Sequence, residues 1–213
     1  MAARWTFGVE PLPESFAIAS LLREIAGLVV SLEAPHPALE RLAAALRGAE
    51  QELRPLVPAD PSPRVGSQAA SDGRAYLDHS RNVGAFNPCF PIYEIRVEGD
   101  HAAGTVRFPV VYEGPPGLVH GGVLSLFFDA VVQHHNCDAG VAGKTTSVEV
   151  TYRRPTPLLV ELAFEIDRVV DAGRIVSSAR LTAGGAVLCE ARVRAIAGSR
   201  ALLPEVSPRR VAT

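Results

Sequence analysis

This 213-residue sequence has few cysteines, little excess of charge of either sign and no long hydrophobic runs. Cys89, Cys137 and Cys189 lie far apart without a CxxC pair, so neither a disulfide framework nor a cysteine metal site is indicated. The formal net charge of −2 lacks the positive field of a nucleic-acid-binding protein. No run reaches the roughly 20 apolar residues that span a bilayer, and the N-terminus has no leader pattern. We therefore expect a cytoplasmic protein with no nucleic-acid partner and no membrane span.

The composition is that of an ordinary globular protein. Hydrophobic residues make up 47% of the chain and charged residues 21%, which excludes a disordered or collagen-like chain. A chain of this length can bury one substantial core with an appendage, so one main domain is expected.

Two helices are predicted in the N-terminal quarter, because apolar residues recur there at steps of three and four. The first spans residues 16–32, with an apolar stripe formed by Ile18, Leu21, Leu22, Ile25, Leu28, Val29 and Leu32. The second spans residues 39–53 and follows a break at Pro35 and Pro37. Proline-rich residues 54–73 predict an extended connection. We therefore predict a helical hairpin and linker over residues 1–70, a main domain over 71–200 and a tail over 201–213.

The pattern in the main domain predicts two strands, a long helix and then four strands. Short β-branched runs predict strands at residues 92–97, 103–112, 145–153, 159–169, 174–183 and 186–196. The stretch VLSLFFDAVVQHH contains no proline or glycine and predicts a helix. This pattern indicates an α+β fold in which a curved antiparallel sheet wraps the helix and buries it on all sides. Phe127 and Phe128 fit either core packing or an apolar pocket.

One acid interrupts the apolar helix. Asp129 is flanked by Phe127, Phe128, Val131 and Val132, where a carboxylate costs several kcal/mol unless it is paired, hydrogen-bonded or protonated. A helix end that reaches solvent, or a hydrogen bond to a neighbouring strand, would explain this residue as well as a functional site does. Nine residues earlier, His120, Gly121 and Gly122 open the helix. Unpaired backbone N–H groups at such an opening can stabilise an oxyanion, although HGG alone fits a cramped turn equally well.

Two segments together resemble a known family. YEGPPGLVHGGVLSLFFDA and KTTSVEVTYRRPTPL are similar to the hotdog-fold acyl-CoA thioesterases of the PaaI and THEM4 type. The resemblance covers residues 81 to 197 and leaves the N-terminal helices unexplained. It implies the hotdog fold, with a long central helix wrapped by a curved antiparallel sheet. It also implies a homodimer or a dimer of dimers, with each active site at a subunit interface.

The resemblance assigns roles residue by residue. It implies that the Gly121 N–H polarises the thioester carbonyl and that Asp129 of the other subunit acts as nucleophile or general base. Gly122 would line the substrate site. His120 would help to place the carbonyl, or it would only bond the neighbouring backbone. The hydroxyl of Thr145 would orient the water or the carboxylate, although Thr146 and Ser147 leave the register open. Some relatives carry an asparagine where this chain has Gly114, so that helper is missing.

The element YRRP lies where relatives meet the phosphates of coenzyme A. The resemblance assigns Tyr152, Arg153 and Arg154 to substrate binding, and a guanidinium suits phosphate because it offers a planar fork of donors. Neighbouring strand residues point to opposite faces, so one arginine is expected to reach the nucleotide. A solvated strand end is the alternative.

No metal site or cofactor is predicted, because coenzyme A is part of the substrate. His134 and His135 diverge by about 100° on a helix and do not converge on one ion. Cys137 has no evident base partner, and GxSxG is missing. Two readings compete with acyl-CoA hydrolysis: a non-catalytic binder of acyl-CoA or an acyl carrier, and an enoyl-thioester hydratase or dehydratase.

Overall fold

The N-terminal part of the chain forms two helices, as predicted. The computed structural model describes residues 11–57, 79–138 and 143–197. Helix α1 spans Pro13–Val30 and α2 spans Pro37–Leu53, each with a proline in its first turn, where the missing N–H costs nothing. A 3-10 turn follows at Arg54–Leu56. Most of the predicted linker and both predicted domain boundaries lie outside the described residues, so the division into three regions stays a prediction.

Helix α1 docks through a different face from the one that its sequence indicates. Its buried residues are Ala19 and Arg23, and it packs against helix α3, Val83–Phe86, and the 3-10 turn Val110–Tyr112. Three members of the apolar stripe, Ile18, Leu21 and Leu28, are more than half exposed. Within the described part of the chain, these apolar side chains stay exposed. The Arg23 guanidinium holds the helix instead, through carbonyl groups that an apolar side chain cannot satisfy.

The main domain is one antiparallel sheet with a helix across it. The strands are β1 (Tyr93–Glu98), β2 (His101–Arg107), β3 (Gly143–Tyr152), β4 (Glu161–Asp171), β5 (Arg174–Ala183) and β6 (Ala186–Ala197). The sheet order is β1-β2-β4-β5-β6-β3, and every neighbouring pair is antiparallel. The second strand ends five residues earlier than predicted. Pro109 has no N–H for the ladder, and Val110–Tyr112 forms a 3-10 turn.

The core lies between this sheet and helix α4, Gly121–Asp138. Strand β4 alternates buried and outward-facing residues, and its inner face carries Leu162, Phe164 and Ile166. Phe127 and Phe128 are fully buried in the core, which supports the packing interpretation rather than a pocket. The ring of Phe127 lies 5.3 to 6.4 Å from five other aromatic rings, those of Phe90, Tyr93, Phe108, Phe128 and Phe164. The predicted curved sheet around a central helix is confirmed.

One face of α4 stays open, contrary to the expectation of burial on all sides. Leu126 is 53% exposed, and Gly122, Asp129 and Gln133 lie on the same face at steps of three and four. The sheet covers only the opposite side of the helix. Strand β3, which follows α4, is an edge strand that pairs with β6 alone among the described strands. No helix in the described ranges is long and apolar enough to cross a membrane.

Candidate active site

A tight turn delivers the chain to the start of α4. The Glu113 carboxylate accepts a hydrogen bond from the Gly117 N–H at 2.6 Å, and the Gly114 N–H donates to the Leu118 carbonyl at 2.9 Å. Gly117 has φ +76°, a conformation that favours glycine. The EGPPG segment is therefore a fixed turn, and it sets where His120 and the first residues of α4 lie.

His120 engages the backbone through one ring nitrogen. Its Nδ1 accepts a hydrogen bond from the Gly122 N–H at 3.0 Å, while its own backbone N–H donates to the Tyr112 carbonyl at 2.9 Å. A neutral imidazole that accepts at Nδ1 carries its proton on Nε2. The ring is exposed, so Nε2 remains available as a donor. His120 can therefore bond the backbone through Nδ1 and contact a substrate through Nε2.

The two glycines differ in what their N–H groups do. The N–H of Gly122 is occupied by His120, whereas that of Gly121 has no acceptor among the described residues. The Tyr152 hydroxyl donates to the Gly121 carbonyl at 2.9 Å and lies 3.2 Å from Ser125 Oγ. A Cβ added to Gly121 would lie 3.1 Å from the Tyr152 hydroxyl oxygen. Glycine therefore permits the close approach, and Gly121 keeps the free donor.

A cleft of about 360 Å³ runs from the start of α4 to the end of β3. Its lining includes Gly121, Tyr152, Arg153 and Arg154. Arg153 Nε donates to Glu190 Oε2 at 2.7 Å, so this guanidinium is already engaged. Arg154 is exposed and forms no ion pair within the described part of the chain. Of the two arginines beside the cleft, Arg154 is therefore the one without an ion-pair partner among the described residues.

The second group of predicted residues meets on the open face of α4. Thr145 Oγ1 donates to Asp129 Oδ1 at 2.8 Å, and Gln133 Nε2 donates to Thr145 Oγ1 at 2.6 Å. All three side chains are half-buried, so Asp129 is less enclosed than its apolar neighbours indicate. Thr146 instead bonds the Arg194 carbonyl. Thr145 is therefore the hydroxyl that meets the carboxylate.

A β-bulge brings Thr145 to this position. The pairing of β3 with β6 shifts between Thr145 and Ser147, so Thr146 is an extra residue without a partner of its own. A bulge of this kind re-aims the neighbouring side chains, and bulges are over-represented next to active sites. Sequence reasoning missed Gln133, which lies four residues after Asp129 and hence on the same helix face. That spacing was the available signal.

The two groups of residues are far apart within one protomer. Gly121 and Asp129 are eight residues apart on α4, which places them about 12 Å apart along the helix axis at 1.5 Å per residue. A thioester carbonyl that contacts the Gly121 N–H is therefore out of reach of Asp129 in the same chain.

Gly114 occupies the position where some relatives carry an asparagine. A Cβ at Gly114 would lie 2.9 Å from the Cα of His120, which is too close for any side chain unless the backbone moves. The EGPPG turn therefore leaves no room for an asparagine at this position, because any side chain here would displace the start of the helix.

The histidine pair at the other end of α4 is structural. Tyr93 Oη lies 2.9 Å from His134 Nδ1, whereas His135 Nε2 lies 3.0 Å from the Gly99 carbonyl oxygen. The two rings thus diverge. Burial lowers the pKa of His135, which favours a neutral ring that donates to the carbonyl. The described residues contain no group of three or more His, Cys, Asp or Glu side chains suited to a metal ion.

Comparison with known proteins supports the architecture. No family model matches the chain. The crystal structure of a thioesterase superfamily protein matches at TM-score 0.71 and 27% identity, over 88% of this chain and 97% of that one. This coverage exceeds what residues 79–197 alone could supply, so the match extends beyond the sheet domain. The chain has the hotdog fold and resembles the thioesterase superfamily.

Shorter hotdog proteins match about half of the chain. A hypothetical thioesterase with coenzyme A from Streptococcus pneumoniae has TM-score 0.47 and 22% identity, over 51% of this chain and 90% of its own. The PaaI protein from the phenylacetic acid degradation operon of E. coli has TM-score 0.46 and 14% identity, over 49% and 82%. The match at TM-score 0.71 confirms the hotdog fold predicted from the sequence.

Proposed function

We propose that this protein is an acyl-CoA thioesterase that hydrolyses its substrate to a free acid and coenzyme A. The observation that carries the proposal is the hydrogen bond from Thr145 to Asp129 on the open face of α4. This bond occupies Oδ1 of the carboxylate and leaves Oδ2 for the reaction. Thioesterase superfamily similarity at 27% identity supports the same chemistry.

The Gly121 N–H and the Asp129 carboxylate take complementary roles. The carbonyl oxygen of the thioester accepts a hydrogen bond from Gly121, at the positive end of α4, where the charge of a tetrahedral intermediate develops. A preorganised donor of this kind stabilises the transition state by about 3 kcal/mol. Nε2 of His120, exposed beside it, is the second donor that we assign to this oxygen.

Asp129 activates the attack in one of two ways. As a general base it takes a proton from water while the water oxygen bonds to the carbonyl carbon. As a nucleophile it forms an acyl-aspartyl anhydride that water then cleaves. In both routes the C–S bond breaks, the sulfur leaves as a thiolate and is protonated, and the acyl group ends as a carboxylic acid.

The site needs two copies of the chain, because one protomer separates its two halves by about 12 Å. Strand β3 is a ten-residue edge with unpaired backbone groups, and such an edge is a template for another strand. The open face of α4 lies beside it. We infer a homodimer, alone or within a dimer of dimers, in which Gly121 of one copy faces Asp129 of the other.

Arg154 is the phosphate contact in this proposal. Arg154 lines the cleft that also includes Gly121, while Arg153 is held by Glu190. Tyr152 fixes the backbone of Gly121 and shapes the same cleft. No cofactor is required, since the protein supplies both the donor and the carboxylate, and a cytoplasmic location stays our prediction.

The test is release of free thiol from a panel of acyl-CoA substrates. Asp129→Asn should lower kcat at least about a hundredfold, since an asparagine neither accepts the proton nor attacks. Asp171→Asn, at an exposed hairpin, is the matched control and should leave kcat unchanged. Circular dichroism and mass in solution should be the same for all three proteins.

Two other results would replace the proposal. Binding of acyl-CoA without thiol release would identify a non-catalytic binder. Loss of enoyl-thioester absorbance without thiol release would identify a hydratase. Activity that survives in Asp129→Asn would remove Asp129 from the mechanism and leave the thioesterase assignment standing.

A further inference from the structure

Gln133 belongs to the hydrogen-bonded chain at Asp129, and neither the sequence motifs nor the resemblance assigns it a role. Its Nε2 lies 2.6 Å from Thr145 Oγ1, which lies 2.8 Å from Asp129 Oδ1. We propose that Gln133 is a positioning residue that directs the Thr145 hydroxyl onto the Asp129 carboxylate. This inference rests on the proposed thioesterase function.

The hydrogen-bond donors that the three side chains carry fix the direction of the two hydrogen bonds. A carboxylate only accepts hydrogen bonds, and a threonine hydroxyl has a single hydrogen. With the Gln133 amide donating into Oγ1, that hydrogen is left for Asp129. If Gln133 presented its carbonyl instead, the carbonyl and the carboxylate would compete for one hydrogen. The amide therefore selects one rotamer of the hydroxyl.

The backbone around Gln133 makes this arrangement rigid. Gln133 and Asp129 are one helical turn apart on α4, so their spacing is set by the helix itself. Thr145 reaches them from the β-bulge in β3, which pairing with β6 holds on both sides. The helix thus supplies Gln133 and Asp129 and the strand supplies Thr145, so all three side chains are carried by regular secondary structure.

Loss of Gln133 would free the Thr145 hydroxyl to turn toward water. Asp129 would then lose the bond that orders Oδ1, and its reacting oxygen would no longer be fixed relative to the carbonyl carbon. Because reaction rate is sensitive to such placement, we expect kcat to fall by about ten- to a hundredfold. KM should stay within about twofold, since Gln133 acts through Thr145 and not on the substrate.

A double-mutant cycle separates positioning from simple packing. Gln133→Met keeps the length of the side chain without its donor, and Gln133→Leu removes the donor without adding a charge beside Asp129. Each is measured for thiol release in three backgrounds: Thr145, Thr145→Ser, which retains the hydroxyl, and Thr145→Val, which lacks it. The loss should appear with threonine and serine and vanish with valine, since no hydroxyl is left to direct.

The outcomes are distinct. An equal loss in the Thr145→Val background would overturn the positioning role and show a packing effect, and so would unchanged kcat in both Gln133 variants of the Thr145 protein. An unsubstituted protein that releases no thiol from any acyl-CoA would overturn the thioesterase proposal and this one together. Thermal melting and mass in solution verify that each variant is folded and assembled, with Gln133→Leu as the second variant if Gln133→Met fails to fold.

Discussion

Two adjacent arginines at the end of β3 differ in what already holds their charge. Arg153 pairs with Glu190 at 2.7 Å, whereas Arg154 has no ion-pair partner in the described ranges. We expect Arg154→Gln to raise KM for acyl-CoA about tenfold without lowering kcat, because a phosphate contact to a charged donor contributes roughly 1.5 kcal/mol or more. Steady-state thiol release measures both constants.

The matched control for this prediction is a truncated substrate. An acyl-pantetheine thioester lacks the nucleotide phosphates, so Arg154→Gln should leave its KM unchanged. Arg153→Gln should change KM for acyl-CoA less than Arg154→Gln does. A larger effect of Arg153→Gln, or an equal effect on the pantetheine substrate, would contradict the assignment of Arg154.

Sequence reasoning could name the individual site residues, and the resemblance directed the Thr145 hydroxyl toward the water or the carboxylate, but the register among Thr145, Thr146 and Ser147 stayed open. Asp129 stands out because it interrupts an apolar helix, and Thr145 follows from the resemblance. The bond between them depends on a β-bulge that adds one residue to β3, and nothing in KTTSV distinguishes a bulge from a regular strand. Gln133 was missed because it bonds Thr145, and the sequence alone does not show that Thr145 faces the helix.

Helix α1 is attached to the sheet domain by one buried cation. Arg23 Nε donates to the Phe90 carbonyl at 3.0 Å, and its Nη2 donates to the carbonyls of Gly84 and Asn87 at 2.6 and 2.9 Å. Arg23→Met should destabilise the docked helix by about 3 kcal/mol, because it leaves buried acceptors without donors. Hydrogen exchange should show lost protection in α1 while strands β4 to β6 keep theirs.

Glu24→Gln provides the comparison for Arg23→Met on the same helix. Glu24 is exposed, so this change should alter stability by no more than about 0.5 kcal/mol. Unchanged exchange in α1 of the Arg23→Met protein would show that other contacts hold the helix in place.

The elements were predictable where one physical signal dominates. Short β-branched runs placed strands β4, β5 and β6 within two residues of their observed ends, and inward- and outward-facing residues alternate along each of them. Helix α1 was predictable as a helix but not in orientation. Its apolar residues predicted a helix, whereas Arg23, a charged residue, forms the buried contact.

The whole molecule must contain composite sites if Gly121 and Asp129 act on one carbonyl. Gly121→Pro removes the donor in the first helical turn, where proline is favoured, and Gly121→Ala is the control because it adds a Cβ at the same distance from Tyr152 but keeps the N–H. Heterodimers of Gly121→Pro with Asp129→Asn contain one intact site of two. They should recover about half of the wild-type rate, although each parent alone is inactive.

Differential affinity tags on the two variants isolate the heterodimer for this measurement. Heterodimers as inactive as either parent would show that each site lies within one chain, in conflict with the 12 Å separation along α4. Full activity of Gly121→Pro by itself would remove the Gly121 N–H from the proposed mechanism.

The contacts of Arg23 also affect when helix α1 can dock during synthesis. The three acceptor carbonyls of Arg23 follow it in the chain by 61 to 67 residues. A ribosome that adds about 5–20 residues per second needs several seconds to supply them. During that interval the guanidinium has no buried partners, and closing a loop of this length is entropically unfavourable. Helix α1 is therefore synthesised first but completes its docking late, after residues 84–90 have emerged from the ribosome.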